Sequence, residues 1–197
     1  VPKDDLKAMY AALGSISDKL ADTERLRNTD YELIGRVIQL FCVIDLESRR
    51  VIGAMREIRD LPPIKVANLN DKDVPMHLKA VAEDWEGTEV VREKVLMASA
   101  FVSTHEHIRH SLAHWAGRRI RGHEALYFVS TRLNHKTPDS WHEVPSTDPQ
   151  SDAGFRLLLV GHLKVLLKQG EPLAQLLGNL APSLEMAITA KASGLSS

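Results

Sequence analysis

Between Gly87 and Gly117 the chain contains neither glycine nor proline. An unbroken stretch of this length, with apolar residues three and four apart, is a helix of about eight turns. A second long stripe runs from about Asp30 to Arg59, through Leu33, Ile34, Val37, Ile38, Phe41, Ile44, Val51, Ile52, Met55 and Ile58. Thr29 or Asp30 can cap its start, and Pro62-Pro63 ends it, because the residue before a proline is pushed out of the helical region. Two such helices must cover their apolar faces on each other. The fold class expected is therefore mainly α, an antiparallel helical bundle centred on these two helices.

The remaining segments are read around that pair. Pro2 to Asp22 keeps a helical spacing through Leu6, Met9, Tyr10, Leu13, Ile16 and Leu20, and Thr23 to Asp30 is a charged junction. Ile64 to Val74 is a polar connector, followed by a short helix from Pro75 to Trp85 with its proline in the first turn. The central helix spans Glu89 to about Ala116. Thr88 is available as its N-cap and Gly117 as a left-handed C-cap, with Arg118, Arg119 and Arg121 suiting the negative helix end. Ala125 to Thr131 is rich in β-formers and reads as a strand. With Trp141 to Val144 as its partner it makes a small β-hairpin after the central helix. Ala153 to Lys168 reads as a helix stopped by Gly170, Pro172 to Leu180 as another short one, and the rest as a tail.

The 197 residues suit a single helical domain, with a core over about 30–130 and a C-terminal helical part over about 150–190. Hydrophobic residues make up 44% and aromatics only 5%, so the core is aliphatic. The net charge of −1 and a pI of about 6.8 argue against a protein that coats nucleic acid along its whole surface. Any contact with RNA must be local or built by dimerisation. The single cysteine, Cys42, rules out an internal disulfide and, within its apolar run, reads as a small buried hydrophobe. No signal peptide is visible and no apolar run reaches the ~20 residues of a membrane span. The chain reads as cytoplasmic, with no membrane contact.

Chemistry concentrates at the end of the central helix, in His105-Glu106-His107-Ile108-Arg109-His110-Ser111-Leu112-Ala113-His114-Trp115-Ala116-Gly117, which holds four of the nine histidines. On a helical wheel Phe101, His105, Ile108, Leu112, Trp115 and Ala116 form a mainly apolar stripe, and His107, His110 and His114 group on another side. Cutting RNA without a metal needs a group to take the 2′-hydroxyl proton, a group to protonate the leaving 5′-oxygen and a cation for the phosphate. Histidine titrates near neutral pH and arginine stays charged with a bidentate fork. Arg109 and His114 supply those types, but five residues on a straight helix put them about 140° apart. A bend, or a second copy packed about a two-fold axis, would bring them to one phosphate. The plain alternative is a polar, solvent-facing helix end.

The string Arg109-His110-Ser111-Leu112-Ala113-His114 resembles the R-polar-x-x-x-H signature of the HEPN superfamily, helical domains found in many prokaryotic ribonuclease toxins and defence proteins. Its common local form, R-N-x-x-A-H, matches at Arg109, the polar His110, Ala113 and His114. The resemblance covers about Tyr31 to Tyr127 and leaves the last third unexplained. It implies a HEPN-like bundle and a metal-independent endoribonuclease in which His114 transfers protons, Arg109 holds the phosphate and His110 assists. It also implies a homodimer cleft and, by analogy, a cognate antitoxin protein. The competing class is a non-catalytic HEPN-like module that binds RNA, a nucleotide or a partner protein.

Other readings stand beside this one. His107, His110 and His114 have zinc-ligand spacing, with Glu106 or Glu124 reachable only through the fold; the ribonuclease reading itself requires no metal and no cofactor. Arg118, Arg119 and Arg121 form the one dense basic run, placed where an RNA backbone would pass, or else a solvated helix end. Asp45, inside an apolar run, needs a partner: a neighbouring arginine, or Arg109 or His114 across the bundle, where it would support the site with His107. Trp85, Trp115 and Trp141 either stack on bases or pack in the core.

Overall fold

The structure is a computed structural model that describes residues 23–129 and 155–193. In order these form β1 (Thr23–Glu24), α1 (Asn28–Ile58), a single 3-10 turn at Val66–Asn68, α2 (Val74–Glu83), α3 (Glu89–His114), β2 (Ala116–Ile120), β3 (Ala125–Val129), β4 (Phe155–Leu159) and α4 (Val160–Ala192). The protein is mainly helical with a small antiparallel sheet. The helix expected over Pro2–Asp22 and the strand expected at Trp141–Val144 lie outside the described residues.

The described chain divides into two compact units, one of residues up to Ile38 with His107–Leu166, the other of Gln39–Glu106 with Leu167 onward. The residues of each of the three long helices are divided between the two units.

The first unit is built on the sheet, in the order β1-β2-β3-β4 with every pair antiparallel. A strand over Ala125–Thr131 was the expectation, and β3 ends at Val129. Its partners are a correction. Ala116–Ile120 had been read as helix end and cap, and Phe155–Leu159 as the first turns of a helix, yet they pair with the two edges of β3. The apolar segment Ala125–Val129 exposes unpaired N–H and C=O groups on both edges, and these two segments satisfy them. Gly117 is accordingly a strand residue. A Cβ there would lie 2.8 Å from the Phe128 ring and 3.1 Å from Leu26, so the ring can close over the backbone only because no side chain stands there. Gly122, at φ +74°, makes the turn between β2 and β3. Ile120, Ala125 and Leu157 form a buried cluster on one sheet face, with Tyr127 and Leu159 packed against it. Arg119 faces the other way, with Leu126 and Leu158.

In the second unit the stripe of α1 buries as expected, with Phe41, Ile44, Val51, Ile52 and Met55 all inside. Phe41 stacks on Phe101 of α3 with ring centres 5.9 Å apart. Cys42, one step further round the helix, is exposed rather than buried. Arg49 ties the 3-10 segment to α1: it bonds Asp45, Asp71 and the carbonyls of Val66 and Leu69. Arg50 pairs with Glu185 of α4. Helix α4 runs through Gly170, Pro172 and Pro182, where two breaks were expected. An internal proline costs about 3 kcal/mol, but the buried positions Leu163, Leu166, Leu167, Gly170, Leu177, Ala181 and Leu184 continue one face past both prolines. Burial of that face outweighs the local penalty. Gly170 is a contact point, since a Cβ there would meet Leu40 at 2.5 Å and Phe101 at 2.7 Å.

Candidate functional site

The last turns of α3 carry the motif. Ile108 and Leu112 are buried and anchor the helix, and the buried Ser111 hydroxyl donates to the His107 carbonyl at 2.9 Å. The helix is unbroken through His114, and the Trp115 N–H still bonds the Ser111 carbonyl at 3.1 Å. With no break in the helix, Arg109 and His114 keep roughly the 140° separation of a regular helix. The residue placed beside His114 is instead His110, four positions earlier. Their ring centres are 4.9 Å apart at 52°, and both residues are exposed. Arg109 is half-buried, as is His107.

The row of rings continues. Trp115 is half-buried, its ring 6.4 Å from that of His110 and nearly perpendicular to it. On the same indole stands Arg156 of β4, its guanidinium carbon 5.6 Å from the ring centre. A cation, an indole and two imidazoles therefore line one stretch of surface. Arg156 escapes the sequence reading because it lies in Phe155-Arg156-Leu157-Leu158-Leu159, taken there for helix. As a strand, the segment sets Arg156 opposite Phe128. A lone cation within an apolar run was the signal available.

The basic run is divided by the strand. Successive side chains in a strand point to opposite faces, so Arg118 is exposed while Arg119 is turned inward and is 2% exposed. Arg119 donates to Asp30 at 2.5 Å and to Glu124, with Glu24 at 3.9 Å. Asp30 is buried too and also accepts the Arg27 backbone N–H at 2.9 Å, one half of a capping box at the start of α1. Arg119 is therefore a structural cation rather than a surface one. Arg118 and Arg121 are exposed, on β2 and in the turn that follows it.

Asp45 has a neighbouring arginine as a partner. Its two oxygens accept from Arg49 at 2.8 and 3.3 Å, which aims that guanidinium at the 3-10 segment. Among the described residues no three imidazole, thiol or carboxylate groups are placed to hold a metal, and Glu124 is engaged by Arg119. Burial pushes the Tyr127 hydroxyl up and holds the His162 imidazole down. No described helix is long and apolar enough to cross a membrane. No family model, curated protein or solved structure matches the chain.

Proposed function

We propose that the chain is a metal-independent endoribonuclease of the HEPN kind, acting in a cleft shared by two copies. The observation that carries the reading is the pair of imidazoles, His110 and His114, 4.9 Å apart on an exposed helix end. In the reaction the 2′-oxygen attacks the neighbouring phosphorus and the 5′-oxygen leaves, giving a 2′,3′-cyclic phosphate and a 5′-hydroxyl. One proton leaves the nucleophile and one reaches the leaving group, which is work for two imidazoles in opposite protonation states. His114 is assigned the proton transfer and His110 assists it. Arg109 holds the phosphate and its developing charge. Arg156, on the Trp115 ring, adds a cation within the protomer, and the exposed Arg118 stands on the opposite face of the sheet. Pairing two motif helices about a two-fold axis answers the angular separation of Arg109 and His114, and gathers charge that a chain of net −1 lacks elsewhere. A toxin or defence role restrained by an antitoxin belongs to the same proposal.

The test is RNA cleavage in EDTA by the full chain. Cyclic-phosphate products are expected, with His114→Ala slowing cleavage by about 100-fold or more while light scattering still reports a dimer. Arg109→Ala should weaken both RNA binding and turnover. A His114→Ala protein that still cuts, or an active monomer, would refute the proposal. Activity lost in EDTA and restored by manganese would replace it with a metal site. Binding without cutting would favour the non-catalytic HEPN-like module.

A further inference from the structure

The two imidazoles have a second capability that does not depend on RNA. We propose that His110 and His114 form a two-nitrogen chelate for a late first-row divalent ion such as zinc, nickel or copper. We propose further that filling it switches off the acid–base pair; this regulatory half rests on the ribonuclease reading, whereas the binding half does not.

The geometry is specific enough to argue from. With metal–nitrogen bonds of about 2.0–2.1 Å, two imidazoles on one ion at angles of roughly 90–110° have ring centres about 4.6–5.3 Å apart. The observed 4.9 Å falls inside that window. Both residues are exposed, so an ion has access and can keep water in its remaining positions. Their backbone is held by the buried Ile108, Ser111 and Leu112 of an unbroken helix, so the two side chains leave the helix one turn apart on the same side whether or not an ion is present. Imidazole is a ligand that late transition ions prefer over magnesium or calcium, which sets the class of ion.

Two features set the strength. Two imidazoles alone hold an ion less tightly than a three- or four-ligand shell, and among the described residues no third imidazole, thiol or carboxylate is placed beside them. The cations Arg109 and Arg156, one on the same helix and the other on the Trp115 ring, oppose a dication. The site is thus suited to reversible occupation. A nitrogen whose lone pair is given to an ion can neither take nor return a proton, so the filled site has no acid–base pair.

The test uses the full chain without a polyhistidine tag, titrated with zinc chloride at pH 7.5 and followed by calorimetry. One site per chain is expected. His110→Gln and His114→Gln should each weaken it about ten-fold or more, because the second ligand no longer acts at the high effective concentration of a chelate. His107→Gln and His123→Gln should leave it unchanged. Zinc binding that survives in the double variant His110→Gln/His114→Gln overturns the chelate, and loss of binding in His107→Gln overturns its two-ligand form. In the cleavage arm, zinc at the calorimetric midpoint should halve RNA cutting and EDTA should restore it. Binding at the pair with cutting unaffected refutes the regulatory half alone. A chain that cuts no RNA leaves the binding arm to decide the chelate and counts against the ribonuclease reading instead.

Discussion

Removing Arg119 should be among the most damaging single changes in the described chain. Its side chain and that of Asp30 are each only 3% exposed, and the two are bonded at 2.5 Å. In Arg119→Met the aliphatic stem is kept and the charge is lost. Asp30 is then a buried carboxylate whose guanidinium partner is gone and which keeps the Arg27 backbone N–H. Breaking a buried pair from one side costs about 3–5 kcal/mol. Glu124 adds little, because it is 72% exposed and returns to water. The retained Arg27 bond offsets part of the cost, so about 3–4 kcal/mol is the expectation. At about 2–4 °C per kcal/mol for a chain of this size, the unfolding midpoint should fall by roughly 6–16 °C. Circular dichroism of Arg119→Met, Asp30→Asn and the double variant gives the measurement. The double variant should recover most of the loss, because the buried charge has gone with its partner. Arg118→Met, on the exposed side of the same strand, should cost under about 0.5 kcal/mol. If Arg119→Met and Arg118→Met unfold together, or if the double variant is as weak as the sum of the singles, the buried-pair reasoning is wrong.

Two further outcomes follow from packing and titration. Gly170→Ala places a Cβ within 2.5 Å of Leu40 and 2.7 Å of Phe101, so it should destabilise by about 1–3 kcal/mol. Gly161→Ala, with nothing within 4 Å, should be neutral or stabilising by about 0.5 kcal/mol in the same urea titration. Burial holds the His162 imidazole below its ordinary range, so the unfolded chain takes up that proton first as pH falls. The stability it protects is therefore complete above about pH 6.5 and is lost as pH drops below it. Urea midpoints between pH 7.5 and 5.5 should show this slope, and His162→Leu should flatten it.

Helices α1 and α3 were legible because their signal is repeated many times. Val37, Phe41, Ile44, Val51, Ile52 and Met55 recur at helical spacing, and all are buried; the observed bounds of α1 and α3 fall within two residues of those read from the pattern. The sheet was legible only at β3, whose β-forming residues carry a local signal. Ala116–Ile120 and Phe155–Leu159 have no comparable alternation, and their strand state comes from pairing with β3, the first through the tight turn at Gly122 and the second across a long stretch of chain. The same non-local weighting explains α4. Gly170 and Pro172 are strong local stop signals, and a continuous buried face from Leu163 to Leu184 overrides them.

At the site the difference between helix and strand periodicity matters most. Within α3 the spacing of four between His110 and His114 turns through about 400°, leaving the rings about 40° apart, and this pairing was legible from the wheel. The run Arg118-Arg119 could not be read in that way, since two successive residues are about 100° apart on a helix but about 180° apart on a strand. Having been taken for a helix end, it looked like a single basic patch; as β2 it sends one arginine to solvent and the other to Asp30. The charge near the imidazoles is therefore not a block of three arginines. It comes from Arg109 on the helix and from Arg156, which the sheet register brings to Trp115 from a distant part of the chain, whereas Arg118 stands on the opposite sheet face with Tyr127 and Leu157. An RNA held by so few separate cations should lose affinity only gently with added salt, because each phosphate neutralised contributes its own share to the salt dependence. On the ribonuclease reading proposed above, Arg156→Ala should reduce that slope, and Arg118→Ala, on the opposite sheet face, should leave it unchanged.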